Sequence, residues 1–151
     1  MQVLIKAIGR ERSASLKELT DEYFKRLPWD IKIVEKICEK NLSAAELKEA
    51  EAQLLLDGLP PGNFKIALDE NGKQLSSKEF AQLLAQKQEQ GFKGFIFLIG
   101  GAYGHGTQVA KNTDITLSLG KMTFAHKMVR LLLIEQLYRA YTIITNHPYH
   151  K

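Results

Sequence analysis

The chain has 151 residues, 44% of them hydrophobic and 25% charged, with a formal net charge of +4 at neutral pH. That is enough for one domain with a sizeable core and too little for two, and the balance excludes disordered or collagen-like classes. The lone cysteine, Cys38, excludes an internal disulfide and fits a cytoplasmic setting, and uninterrupted apolar runs stay far below the length of a membrane span.

Taken in order, the residues alternate between strand and helix signatures. Val3 to Ile8 reads as a strand and not a signal peptide, because no basic segment precedes it and Lys6 breaks the apolar run. After the polar loop Gly9-Arg10-Glu11-Arg12, Ser15 with Glu18 predicts a capping box. Leu16, Leu19, Tyr23, Phe24 and Leu27 then form a helical stripe that stops at Pro28. Asp30 to Ile37 reads as a second strand. Ser43 with Glu46 predicts the cap of a helix over Ala44 to Leu56, closed by Gly58 and Pro60-Pro61-Gly62. Phe64 to Asp69 is an apolar strand that empties into Glu70-Asn71-Gly72. Ser76 with Glu79 then caps a third helix, running to Gln90 and closed by Gly91. Alternation of this kind predicts an α/β fold with a mostly parallel sheet flanked by helices, in one domain over 1–151.

The stretch from Phe95 to His126 organises the rest. Phe95 to Ile99 is a buried type of strand that opens into Gly100-Gly101-Ala102-Tyr103-Gly104-His105-Gly106. A further strand, Ile115 to Leu119, opens into Gly120-Lys121-Met122-Thr123-Phe124. In parallel sheets ligands bind outside the carboxyl ends of strands. Three ends, Leu68-Asp69-Glu70, Gly100-Gly101 and Leu119 to Phe124, are therefore candidates for one nucleotide-like pocket. The glycine loop has neither Gly-x-Gly-x-x-Gly at a first βα turn nor the Lys-Ser/Thr of a P-loop, so glycines that merely make a turn stay open as an alternative. Asp69 suits a ribose contact or the start of a turn. His126 suits acid–base work, a phosphate contact or local packing.

The last helix, from about Phe124 to Ile144, is apolar nearly all round. Val129, Leu132, Leu133, Leu137, Ala140 and Tyr141 fill one face, and Met128, Leu131, Ile134 and Tyr138 fill much of the other. Such a helix needs cover on two sides, which predicts a homodimer. Residues 121–151 carry the whole net positive charge, the footprint of a polyanion approaching one edge or of a solvated basic helix face. The tail Thr145-Asn146-His147-Pro148-Tyr149-His150-Lys151 is aromatic and histidine-rich, a composition suited to stacking on bases and meeting phosphates. With no cysteine pair, no His-Glu-x-x-His and no acidic cluster, no metal site is expected from these histidines.

Several of these segments together resemble one family. They are Phe97-Leu98-Ile99-Gly100-Gly101-Ala102-Tyr103-Gly104, Ser118 to Phe124, His126, Val129-Arg130, Glu135-Gln136-Leu137-Tyr138-Arg139-Ala140 and Asn146-His147-Pro148-Tyr149-His150. The likeness is to the RlmH (YbeA-like) branch of the SPOUT methyltransferases, and it covers the whole chain. The resemblance implies a homodimer with a C-terminal trefoil knot, knot and cofactor loops occupying roughly 95–151. It implies methyl transfer from S-adenosylmethionine to N3 of pseudouridine 1915, in helix 69 of 23S rRNA, on the assembled 70S ribosome. Carried over position by position, it implies cofactor contacts at Leu68, Gly100, Leu119, Gly120, Lys121, Met122, Thr123 and Phe124. Substrate RNA would meet Arg130, Arg139, His147, Tyr149, His150 and Lys151, and the catalytic candidates are His126, Arg130, Arg139, Tyr149 and His150. Ala102 stands where many relatives have proline and Ala125 where proline or threonine is common, and Lys151 replaces a usual arginine, keeping the charge without the bidentate fork. The competing functions are a non-catalytic ribosome- or RNA-binding domain and an enzyme with another nucleotide cofactor such as NAD.

Overall fold

The computed structural model describes residues 1–150. Five strands form a single sheet: β1 (Gln2–Ile8), β2 (Asp30–Lys36), β3 (Phe64–Gln74), β4 (Gly94–Ile99) and β5 (Ile115–Ser118). Their order is β2-β1-β4-β3-β5, and every neighbouring pair is parallel. The helices are α1 (Ala14–Arg26), α2 (Ala44–Leu56), α3 (Ser77–Glu89), α4 (Thr107–Lys111) and α5 (His126–Ile144). The expected α/β architecture is therefore present. The short α4 and the two-residue delay in the start of α5 are departures from the sequence reading.

β4 lies at the centre with all six residues buried, and its alternation builds a core on each face. Phe95, Phe97 and Ile99 pack with Phe80 and Leu84 of α3 and Leu133 and Leu137 of α5. Ile96 and Leu98 face the other way, onto Ala52 and Leu55 of α2 and Val109 of α4. Each such side chain contributes roughly 1.5–3 kcal/mol by leaving water. A strand covered on both faces reads as a continuous apolar run, as this one does.

Three local expectations are corrected. α1 is capped by Ser13, whose hydroxyl accepts from the Leu16 amide at 3.4 Å, and not by Ser15. The Ser-x-x-Glu pattern at Ser15 and Glu18 falls inside the helix, whereas the boxes at Ser43 and Ser76 form as expected. β3 does not end at Asp69. It bulges through Asp69–Gly72 and resumes pairing at Lys73 and Gln74, opposite Leu117 and Ser118 of β5. Gly72 is required there, because a Cβ would lie 2.5 Å from the Leu117 carbonyl carbon. The third concerns the far face of α5: Ile134 and Tyr138 are 0% and 7% exposed within the chain itself. Tyr23 of α1 covers that side, its ring 5.8 Å from that of Tyr138. Met128, near the start of the helix, stays exposed.

Replacing Ser13 by alanine should cost about 0.5–2 kcal/mol in urea unfolding, while Ser15→Ala should be neutral. The reverse ranking would restore Ser15 as the cap.

Candidate functional site

The carboxyl ends of β3, β4 and β5 and the start of α5 surround a cavity of about 590 Å³. That volume is in the range of a nucleoside-sized ligand. Leu68 to Asn71 line it from the β3 bulge and Gly100 to His105 from the loop after β4. Leu117 to Gly120 and Met122 to Phe124 come from the end of β5, and His126 and Val129 from α5. The three strand ends singled out in the sequence thus converge. Of the run Leu119 to Phe124, only Lys121 is outside the cavity wall among the described residues.

The wall is bare backbone where glycine makes it so. The loop after β4 doubles back, the Gly104 amide donating to the Gly101 carbonyl at 3.1 Å. A Cβ on Gly100 would sit 3.0 Å from the Gly104 carbonyl carbon, so no larger residue fits without moving the loop. On the β5 side, the Ser118 hydroxyl donates to the Gly120 carbonyl at 2.6 Å and accepts from its amide at 3.2 Å, closing that turn. The Thr123 hydroxyl donates to the Glu70 carboxylate, which ties the β5 loop to the β3 bulge. Asp69 makes a turn: one oxygen accepts from the Asn71 amide at 2.9 Å and its side-chain nitrogen at 3.2 Å. The other oxygen faces the glycine loop, 3.9 Å from where a Cβ on Gly104 would stand.

Two histidines line the cavity. His105 Nε2 is 3.0 Å from the Leu68 carbonyl. A carbonyl only accepts, so that nitrogen carries the proton and Nδ1 is left buried without a partner among the described residues. Burial, above all, holds the His105 pKa below the ordinary imidazole value. His126 is held low as well, first by burial and then by the Arg130 and Lys127 cations. Both rings are therefore neutral at physiological pH.

Arg130 stands apart from the cavity wall. The residue is 5% exposed; Nη1 donates to Glu35 at 2.6 Å and Nη2 to the Ile8 carbonyl at 2.9 Å and the Gly9 carbonyl at 2.5 Å. It ties the start of α5 to the end of β1. The tail forms a third group. Tyr149 packs edge-on against Tyr138, with ring centroids 4.7 Å apart, and Arg139 lies over the Tyr149 ring. Arg139 also pairs with Glu135 at 2.6 Å and meets His150 Nδ1 at 3.3 Å. Burial and the neighbouring Tyr23 hydroxyl push the Tyr149 phenol up to about 12, so it stays protonated at neutral pH. Among the described residues, none of Arg139, His147, Tyr149 and His150 lines the cavity of its own chain. Lys151 lies outside the described residues. Among the described residues no three His, Cys, Asp or Glu side chains gather as a metal-binding group, and no helix is long and apolar enough to cross a membrane.

Sequence reasoning missed Glu51. It is 7% exposed behind the glycine loop, with Oε2 unpartnered among the described residues and 2.5 Å from where a Cβ on Gly101 would be. An acid in mid-helix carries no signal in sequence that it faces inward. Burial pushes its carboxyl above the ordinary value of 4.5. The unfolded chain therefore releases this proton at lower pH than the folded one, and stability is lost as pH rises through that window. Glu51→Gln should raise the melting temperature at mildly alkaline pH and leave it unchanged well below pH 4.5. A drop at alkaline pH would mean that the carboxylate makes a contact the amide cannot.

Comparison with known proteins agrees with this geometry. Residues 1–150 match the family model described as "Predicted SPOUT methyltransferase". The chain is 44% identical over 155 residues to the ribosomal RNA large subunit methyltransferase H of Flavobacterium psychrophilum, covering 99% of each. To the protein of the same name from Rhodospirillum centenum it is 40% identical over 151 residues, covering 100% of this chain and 99% of that one. In fold it is similar to a solved probable methylase family protein from Haemophilus influenzae. That likeness has a TM-score of 0.55 at 10% identity and covers 97% of this chain and 67% of that one. With strand ends that build a nucleoside-sized cavity and a family match from end to end, the chain belongs to the SPOUT methyltransferase family, in its RlmH branch.

Proposed function

We propose that this protein is an S-adenosylmethionine-dependent methyltransferase of 23S rRNA. Its target is N3 of a pseudouridine in helix 69 on the assembled 70S ribosome, and it works in the cytoplasm as a homodimer with a knotted C-terminal half. The observation that supports this most is the convergence of three strand ends on one cavity, in a chain at least 40% identical throughout to ribosomal RNA large subunit methyltransferase H proteins. The residues present fit the cofactor. Gly100, whose Cβ would run into the Gly104 backbone, lets the glycine loop fold back tightly as one wall of the cavity, and Leu68, Leu119, Gly120, Met122, Thr123 and Phe124 complete the wall. Lys121, beside them in sequence, is exposed at the rim.

When bound there, S-adenosylmethionine supplies an electrophilic methyl group on a sulfonium. The protein's part is to align the acceptor nitrogen with it and to take the N3 proton. His126 is the base this geometry favours: it lines the cavity and is neutral at physiological pH. Tyr149 holds its proton too tightly for that role and serves as a donor. Arg130, whose Nη1 and Nη2 donate to Glu35 and the β1 end, is a positioning residue that fixes the first turns of α5 and so His126. Arg139, His147, Tyr149, His150 and Lys151 are left for the RNA. Since Arg139, His147, Tyr149 and His150 lie off the cavity of their own chain, the tail reaches the reaction in the partner's cavity, making each site composite. The exposed Met122, Phe124 and Met128 beside the cavity offer apolar surface for that dimer.

Tritiated methyl transfer to 70S ribosomes, free 23S rRNA and isolated subunits tests the assignment. Incorporation is expected with 70S ribosomes, and none into any of the three would overturn it. Deleting Asn146 to Lys151 should leave S-adenosylhomocysteine affinity intact while reducing methylation at least tenfold. Full activity in the truncated chain would remove the tail from the site.

A further inference from the structure

The carboxyl end of β1 opens on the same edge as the three strand ends that line the cavity. In the parallel register Ala7 of β1 lies beside Ile99 of β4, so Ile8-Gly9 emerges next to the glycine loop. The loop that follows, Gly9 to Arg12, folds over the first turns of α5. A Cβ on Gly9 would be 3.2 Å from Nε2 of His126, and Arg130 holds the Gly9 carbonyl. Lys127 Nζ stands 4.0 Å from Glu11.

Within this loop the fold separates charges that cancel in the sequence. Glu35 accepts from the Glu11 amide at 2.8 Å and from Arg130, while Glu11 accepts from the Ser13 amide at 2.7 Å. Both carboxylates are thus engaged by the loop's own structure. Arg10 and Arg12 are exposed, and among the described residues neither pairs with a carboxylate. Two exposed guanidinium forks therefore stand on a loop that abuts His126 of the cavity wall, with the partly exposed Lys127 beside Glu11 of the same loop.

We infer that the Gly9–Arg12 loop is an RNA-backbone clamp, in which Arg10 and Arg12, with Lys127 beside them, hold phosphates flanking the nucleotide that enters the cavity. The inference rests on the reading of the chain as an RNA methyltransferase. Arginine suits the task because its planar fork meets phosphate oxygens in pairs. Backbone contacts of this kind set register without reading bases. Placement matters as much as charge: the loop abuts His126, so a strand held on the arginines is held within reach of the cavity.

The full-length chain carrying R10Q and R12Q together, and a second carrying R10K and R12K, provide the test. Ribosome binding is measured across a salt series, with methyl-transfer kinetics and S-adenosylhomocysteine titration on the same proteins. For the glutamine pair, two lost phosphate contacts should make the slope of log affinity against log salt shallower by about 1.8. KM for ribosomes should rise about tenfold or more with kcat nearly kept, and the lysine pair should retain most of the parental slope. Cofactor-product affinity should match the parent in both. A parental slope and KM in the glutamine variant would overturn the clamp, and a loss of S-adenosylhomocysteine affinity would reassign the loop to the cofactor side. If the parent itself neither binds nor methylates ribosomes, the RNA reading falls and the clamp with it. If the parent does both and the variants match it, the clamp alone falls.

Discussion

β4 is hydrogen-bonded along both edges and covered on both faces, so only Ile99, at its end, borders the cavity. Its only chemically free part is its carboxyl end. Parallel pairing then places the ends of β1, β3 and β5 on the same edge, and every polar or glycine-rich loop of consequence collects there. Burial of the central strand thus concentrates function into a single rim, and the loops can vary without disturbing the core.

That rim is held together by few, specific ties. Arg130 fastens α5 to the end of β1 through two carbonyls and Glu35, and Thr123 fastens the β5 loop to the β3 bulge through Glu70. The bulge itself depends on Gly72, where β3 passes too close to β5 for any side chain. A buried guanidinium whose partners were removed would be left with an unmet charge, the costly case for a buried ion. The tail, by contrast, is organised around Glu135 and Arg139 at the far part of α5. In the proposed dimer, this division would set the cavity of one chain beside the cationic tail of the other.

Much of the cavity was legible in the sequence because apolar runs that stop at glycine or polar residues mark strand ends whatever the fold. Leu68, Gly100 and Leu119 to Phe124 stand out in that way. The capping boxes at Ser43 and Ser76 were legible for a similar reason, each preceding a helical stripe. Ser15 misled because the same four-residue spacing occurs by chance within a helix that Ser13 begins. The continuation of β3 was hidden, since Lys73 and Gln74 pair through backbone alone. Inward-facing polar groups were hidden too. Nothing in the spacing of Glu51 or Arg130 tells that one is buried behind a glycine loop and the other clamps a strand end. Summed charge hides local grouping: over residues 1–120 it cancels, whereas folding engages the Glu11 and Glu35 carboxylates with loop amides and Arg130 and leaves Arg10 and Arg12 exposed.

The rim formed by three strand ends and the start of α5 is the proposed cofactor site. Titrating S-adenosylhomocysteine into the isotope-labelled protein and following backbone amide shifts tests it most directly. Saturable changes are expected to cluster at Leu68 to Asn71, Gly100 to His105 and Leu117 to His126, with the tail little affected. Saturable changes centred elsewhere, or none at millimolar ligand, would contradict it.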